Sequence, residues 1–511
     1  MLKRTLIVLV VALIGSAAIA QAQSPQIVST HDASSTSYTC TEAGLNNAIA
    51  GSTPDATITF ENGCTTLNLT SQVVVDRDLT IDGAGNVTLD GGDTTRVLFI
   101  NQVTVTLRGL TIQNGFVPDT AASDDGGGIY NLGRLTIEAS IIRNNSAAGS
   151  GGGISNNGIF TIIMGSTISN NVAGKDGGGI NAAHGGGDLI VYDSRIVDNS
   201  TADLGAGGGI FVNSGFNDFS KIVNSVISGN SARDGGGLFC ADDCLSIVNT
   251  LVTGNTATYA GGGLGFLNTS MTGEDFSNPP ALVNSTVSGN YATTGGGIAV
   301  GSADIAIQNS IIYGNVSAPG NNEFAVVSGE NTLRFSNSLY DASELGDIST
   351  NGSSSVNLSN PAQSPASLFV NYVAASANSP TTAGDFSLAN DAIAINRGND
   401  SFVVSETSFN FDFSGDGEID DPIPDLAGNI RIQGLHVDIG AYETDILTIQ
   451  PPYDFDNDGI VSPTDAIYVI NRIGQTKNND NAAADVDNNG QIEAADANAV
   501  IARIGQTTDA P

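Results

Sequence analysis

Residues 151–171 read GGGISNNGIFTIIMGSTISNN, and the fold turns on why the chain repeats that stretch. Three glycines open it, a β-branched run follows, and paired asparagines close it. Gly-Gly-Gly followed by Ile or Leu begins at Gly126, Gly151, Gly177, Gly207, Gly235, Gly261 and Gly295, at intervals mostly of 25 to 30 residues with one of 34. A second string, Ser/Thr-x-Ile/Val-x-x-Asn, ends at Asn171, Asn199, Asn230, Asn255, Asn290 and Asn315, with Asn145 one unit earlier. Two independent marks on one beat define a repeat architecture.

Runs such as RLTIEASII and KIVNSVIS alternate apolar with polar residues, and no ten-residue helical period separates them. Each unit is therefore expected to be two or three short strands joined by turns. One unit encloses no core. Stacked units do, because each strand pairs with its copy ~4.8 Å above and below while Ile, Leu and Val fill the interior. Glycine suits corners where the backbone needs positive φ or where coils crowd. Asparagine tolerates the left-handed region and can bond its copies along the stack. The expected fold is all-β, a single-stranded parallel β-helix over residues 73–443 in about a dozen coils of ~27 residues. Residues 23–72 are its N-terminal cap and entry, with TEAGLNNAIA (41–50) a short helix covering the first open coil. VDIGAYE, Val437 to Glu443, reads as the last strand.

Charge narrows the partners. The 511 residues include 53 Asp and Glu against 17 Lys and Arg. That balance argues against nucleic-acid binding and against docking on anionic lipid, and suits an extracellular cation-binding protein. Residues 1–22 read as a secretory signal: Lys3 and Arg4 form a basic head, Leu6 to Ile14 is an apolar run, and Ala20-Gln21-Ala22 is a small-x-small cleavage site. No other stretch approaches ~20 apolar residues, so no transmembrane segment remains after cleavage, and the protein is expected to be secreted, extracellular or on a bacterial cell surface. Export permits disulfides. The four cysteines allow three connectivities, of which neighbour pairing, Cys40 with Cys64 and Cys240 with Cys244, is the expected one.

After a linker (444–452) the texture changes. DFDNDGIVSPTD and DVDNNGQIEAAD are twelve-residue loops with oxygen donors at positions 1, 3, 5, 9 and 12 and glycine at 6. One chain wraps a hard cation at that spacing, and calcium suits it better than magnesium, which takes fewer protein ligands. The first set is Asp454, Asp456, Asp458, the Ile460 carbonyl, Ser462 and Asp465. The second is Asp485, Asp487, Asn489, the Gln491 carbonyl, Glu493 and Asp496. Two calcium ions are thus expected. A candidate third site is Asp412, Ser414, Asp416 and Asp420 around Gly417. Each tail loop runs into a helical segment, DAIYVINRIGQT or DANAVIARIGQT, while Pro451-Pro452 forbids a regular entering helix.

Two resemblances follow from these strings. Loop-then-helix, twice, with Asp at position 12, resembles a type I dockerin over residues 453–507, leaving 508–511 as a short tail. The resemblance implies a fold around two calcium ions and docking to a cohesin-like protein or cell-surface scaffold. Positions 10 and 11 of the loops, Pro463-Thr464 and Ala494-Ala495, depart from the common Ser-Thr pair, which puts the usual cohesin specificity in question. The glycine and asparagine strings resemble the repeats of polymorphic outer-membrane proteins. The entry CTEAGLNNAI and the exits NDAIAINRGND and DLAGNIRIQGLHVDIGAYE resemble more closely the choice-of-anchor Q proteins. This second resemblance covers about residues 38–443 and implies a secreted right-handed β-helix with a variable attachment module. Only 68 residues (444–511) follow Glu443, without the alternating strands of a translocating barrel.

No catalytic residues are assigned. Lyases of this fold need cationic groups against uronate carboxylates, but Arg134, Arg143, Lys175, Arg195, Lys221 and Arg233 are scattered along the chain. The weak candidates are Asp242 and Asp243, a doublet between Cys240 and Cys244, with His184 the one histidine within the repeats. His31 and His436 read as surface residues. The expected function is a non-catalytic surface or adhesion-type protein, contacting polysaccharide along its flank and attached through the calcium-dependent tail. The alternative is a polysaccharide lyase or glycoside hydrolase carried on the same tail.

Overall fold

The computed structural model describes residues 36–121, 123–183, 188–202, 204–213, 220–241, 245–267, 281–318, 323–329, 332–345, 349–350, 356–357, 364–375, 380–390, 392–406, 419, 423–432, 436–444, 455, 461–476, 484, 491–501 and 504. The chain divides into two units. The larger is Ser34–Val403 with Pro424–Pro511; the smaller is Met1–Ala33 with Val404–Ile423. In the smaller, the Ile423 N–H donates to the Val404 carbonyl at 3.1 Å. The expected signal peptide lies outside the described residues.

The larger unit contains a parallel β-solenoid. Its first sheet stacks Arg134–Glu138, Phe160–Met164, Asp188–Tyr192, Ser220–Val223, Leu245–Val248, Ala281–Val283, Asp304–Gln308 and Thr332–Ser336, each parallel to the next. A second sheet has ten strands, from Val73–Val75 to Phe324–Ser328. A third has eight short ones, from Phe116–Val117 to Val316–Ser317. Parallel strands joined by such crossovers wind right-handed as a rule. Register stacks like on like: Ile137, Ile163, Val191, Ile222, Ile247, Leu282, Ile307 and Phe335 form one buried column. No single coil has enough apolar surface to close a core, so the column is what holds the coils together.

The corners carry ladders of hydrogen-bonded polar side chains. The Asn199 backbone N–H and Nδ2 donate to Asn230 Oδ1 at 2.9 and 3.0 Å, and Asn230 repeats both bonds to Asn255 Oδ1 at 3.0 Å. The same ladder joins Gly115 and Asn145 through Asn171 to Asn315. Left-handed backbone falls on the residue before the rung, for example Asn170 at φ 55° and Asp198 at φ 55°, and not on the rung itself. The serine of the repeat string builds a second ladder. Ser140, Ser166, Ser194, Ser225, Thr250, Ser285, Ser310 and Ser338 each accept a backbone N–H from the coil before. The first glycine of a triplet takes positive φ, as at Gly151 (69°). The third admits no side chain, since a Cβ at Gly153 would lie 2.7 Å from the Gly179 carbonyl oxygen.

At the entry the helix Glu42–Gly51 starts where Thr41 accepts the Gly44 N–H at 3.0 Å, and it buries Leu45, Ala48 and Ile49 in the core. Cys40 and Cys64 form a disulfide across 5.3 Å between Cα atoms. Cys240 is buried, and its expected partner Cys244 lies outside the described residues.

The exit differs from expectation. The solenoid has about nine turns, not a dozen, and Val437–Glu443 is not a strand. The described residues of 365–402 and 424–443 lie as a strap along one flank of the coils. Leu368, Phe369, Phe386, Leu388, Ile395 and Ile439 pack on the outward Leu251, Ile311 and Leu339 of the first sheet. Amide nitrogens of Asn337, Asn309, Asn284 and Asn249 donate to the carbonyls of Arg397, Asn399, Phe402 and Pro424 in that order. The reason no coil forms is local. Asp425 gathers the N–H groups of Ala427, Asn429 and Glu443, and Asp438 those of Asn396 and Thr444, so donors that a ladder needs are taken by side chains.

Candidate metal and docking site

The tail is built from two short helices, Pro463–Ile470 and Ala494–Ile501. Each opens on a loop of the duplicated motif. Ser462 caps the first, accepting the Thr464 N–H at 3.1 Å, and Pro463 supplies a backbone already set for a first turn. Asp465, the loop's twelfth position, is 1% exposed. Its Oδ2 accepts the Ser462 N–H at 2.7 Å and its Oδ1 accepts the Phe455 N–H, so one carboxylate ties the loop's second residue to its ninth. In the second loop Asp496 is 0% exposed and accepts the Glu493 N–H at 2.8 Å, again ninth position to twelfth. The halves meet where Gly474 N–H donates to the Ile492 carbonyl at 2.8 Å and Ile492 N–H to the Gln475 carbonyl at 3.0 Å.

Phe455, Val461, Ala466, Val469, Ala484, Ile492, Ala497 and Val500 form the small core. Tyr468 stacks on Phe455 at 5.1 Å and lies beneath the Arg472 guanidinium at 3.6 Å; burial raises its phenol, and the cation pulls the other way. Outside this core, Ile467, Ile470, Ile473, Ile501 and Ile504 are 43–53% exposed. Ile470 with Ile501, and Ile473 with Ile504, are equivalent positions of the duplicated helices.

Of the expected calcium donors, Ser462, Asp465, Gln491, Glu493 and Asp496 are among the described residues. Asp454, Asp456, Asp458, Ile460, Asp485, Asp487 and Asn489 lie outside the described residues, as do Asp412, Ser414, Asp416 and Asp420 of the candidate third site. Asp242, Asp243, His31 and His184 lie outside them too. The basic residues of the solenoid stay dispersed: Lys175 pairs with Asp124 at 2.8 Å, Arg134 lies 4.9 Å from the Phe160 ring and Arg233 pairs with Asp234 at 2.7 Å. His436 contacts Asp400 at 3.1 Å on the surface.

Sequence reading missed one constellation. Arg431, 1% exposed, lies 3.4 Å from Glu443 amid buried Asp425 and Asp438, and donates to the Gly440 carbonyl. Burial raises Glu443, and pushes Asp438 up to about 6. These residues were legible as an exit motif, and their shared burial is what the spacing hid. Gly440 N–H in turn donates to the Asn309 carbonyl at 2.8 Å, so the cluster fastens the strap.

Residues 452–505 match the model of the dockerin type I domain. Dockerin type I domains bind calcium and dock to cohesins, so the chain carries a calcium-dependent attachment module at this end. No curated protein matches the chain. Among solved structures, the crystal structure of pectate lyase Pel9A is similar with 14% identity and a TM-score of 0.45, covering 78% of this chain and 90% of that one. No helix among the described residues is long and apolar enough to cross a membrane.

Proposed function

We propose that this is a secreted, non-catalytic β-solenoid of the choice-of-anchor Q kind, presented at a cell surface by a tail that holds two calcium ions. Asp454, Asp456, Asp458, the Ile460 carbonyl, Ser462 and Asp465 would hold one ion. Asp485, Asp487, Asn489, the Gln491 carbonyl, Glu493 and Asp496 would hold the other, with a third near Asp412. Calcium neutralises the clustered carboxylates and fixes the loops at the helix starts. The protein's own residues do the docking.

The observation that carries the reading is the exposed isoleucine set. A module with so small a core does not leave five large aliphatic side chains half in water without a partner surface to receive them. Support for the non-catalytic half comes from the recurring polar residues, whose hydrogen bonds all serve the stack.

The full chain should be retained by immobilised type I cohesin in calcium and released by chelator, and Ile470→Asp with Ile501→Asp should abolish retention. Retention indifferent to both would refute the docking. Incubation with polygalacturonate, xylan and β-glucan in calcium should release neither reducing ends nor unsaturated uronides. Turnover removed by Asp242→Asn would establish the enzyme reading instead.

A further inference from the structure

The asparagine ladder ends on a different residue. Along the solenoid the third glycine of each triplet faces the asparagine amide one coil on; a Cβ at Gly209 would lie 3.0 Å from Asn230 Cγ, and one at Gly297 2.9 Å from Asn315 Nδ2. Register pairs Ile298 with Phe324, so Glu323 holds the third-glycine position of the next coil. No asparagine faces it. Ile311 pairs with Leu339, which places Ser343 where the next rung should stand. The space an amide would occupy is thus left to the Glu323 side chain itself.

Its bonds follow the ladder's pattern. Asn290 N–H donates to Asn315 Oδ1 at 3.2 Å, and Asn315 N–H donates to Glu323 Oε1 at 2.9 Å. One oxygen therefore accepts the backbone N–H that a rung's carbonyl accepts. The other stands in for a rung's nitrogen, and that nitrogen is always a donor. Asn255, Asn290 and Asn315 give theirs to the carbonyls of Ile227, Val252 and Val287. Register with Val287 makes Ile312 the next carbonyl in the row. Glu323 is 3% exposed, and its Oε2 is buried without a hydrogen-bond partner.

We propose that Glu323 terminates the ladder as a neutral carboxylic acid, the proton on Oε2 replacing the missing amide hydrogen, so that the ladder's end is pH-sensitive. The groups around it favour the neutral form. Burial raises Glu323 well above the usual carboxylate range, Glu344 and Asp341 add like charge, and the N–H groups of Asn315 and Gly314 oppose them in part. Glu344 accepts the Glu323 N–H and is itself raised, chiefly by burial. Tyr313 and Tyr372, the phenols on this side, are raised as well, burial first and Glu323 second. Among the groups that shift Glu323 none is cationic.

The sign follows from linkage. A carboxyl raised in the folded state above its ordinary 4.5 favours folding in its protonated form. The contribution is complete below that value and declines as pH rises towards the folded one. Glu323→Gln supplies the same acceptor and a permanent donor. In the calcium-loaded full chain, infrared difference spectra near neutral pH should show a protonated-carboxyl stretch in wild type that Glu323→Gln lacks. Hydrogen exchange of the coil around Asn315 should accelerate as pH rises above the ordinary carboxylate range in wild type, beyond the intrinsic rise, and less so in the variant. A band unchanged by the substitution, parallel exchange in the two proteins, or a Glu323→Gln chain that does not fold would each overturn the proposal.

Discussion

Asn230→Ala tests the ladder directly. The side chain is 0% exposed and makes four bonds: Oδ1 accepts the Asn199 backbone N–H and Nδ2, while Nδ2 donates to the Ile196 carbonyl at 2.8 Å and to Asn255 Oδ1 at 3.0 Å. Truncation leaves two buried backbone groups, the Asn199 N–H and the Ile196 carbonyl, without those partners. Asn255 Oδ1 keeps the Asn230 N–H, and Asn199 Nδ2 keeps the Ile168 carbonyl. At about 1–3 kcal/mol for each orphaned group, the loss is about 2–6 kcal/mol. Asn224→Ala is the control in the same coil. That asparagine has positive φ (47°), and its buried Oδ1 has no hydrogen-bond partner, so the substitution removes only a left-handed preference of about 1 kcal/mol. Repeat arrays open locally, so hydrogen exchange of the adjacent coils is a better readout than one melting temperature. Equal protection in the two variants would refute the claim that the asparagine bonds, and not merely the corner's backbone, hold neighbouring coils.

Three further substitutions probe the other elements. Cys40→Ser opens a 24-residue separation at the entry and should destabilise the cap by roughly 3 kcal/mol, read as faster exchange at Leu45 to Ile49 in wild-type protein under reductant as well. Asp465→Ala removes the carboxylate that ties Phe455 to Ser462 and should abolish the calcium-dependent helical signal of the tail, leaving the solenoid's melting unchanged. Arg431→Met strips the buried carboxyls of their cation and should cost about 3–5 kcal/mol in strap stability, measured as proteolysis between residues 365 and 443.

Much of the solenoid can be read from residue types alone, because a repeat exposes the same physical requirement at every coil. The triplets mark corners, and Asn199, Asn230 and Asn255 stand in successive layers as hydrogen-bonded rungs. The division of labour was less legible. Left-handed backbone and amide ladder were read as two duties of one asparagine, whereas Asn170 does the first and Asn171 the second. Val437–Glu443 has the alternation of a strand, but Asp438 accepts the Asn396 N–H, Glu443 N–H donates to Asp425 and Ala441 N–H to Thr286, groups far apart in sequence that no local pattern reports. Glu323 left a readable trace: where the next triplet should stand before Phe324, the sequence has Asn-Asn-Glu. In the tail, capping and burial at Asp465 and Asp496 follow from spacing, since position 12 lies within the first helical turn in both loops.

The strap also constrains how long this molecule can become. Its Arg397, Asn399, Phe402 and Pro424 meet one asparagine per coil, in strict reverse order. Adding or deleting a coil between Asn249 and Asn337 would shift every later anchor by ~4.8 Å and break the match. Coils before Asn199 carry no such tally in the described residues. Lineages that lengthen or shorten the solenoid by whole-unit duplication should therefore do so near its beginning, with the strapped half inherited intact.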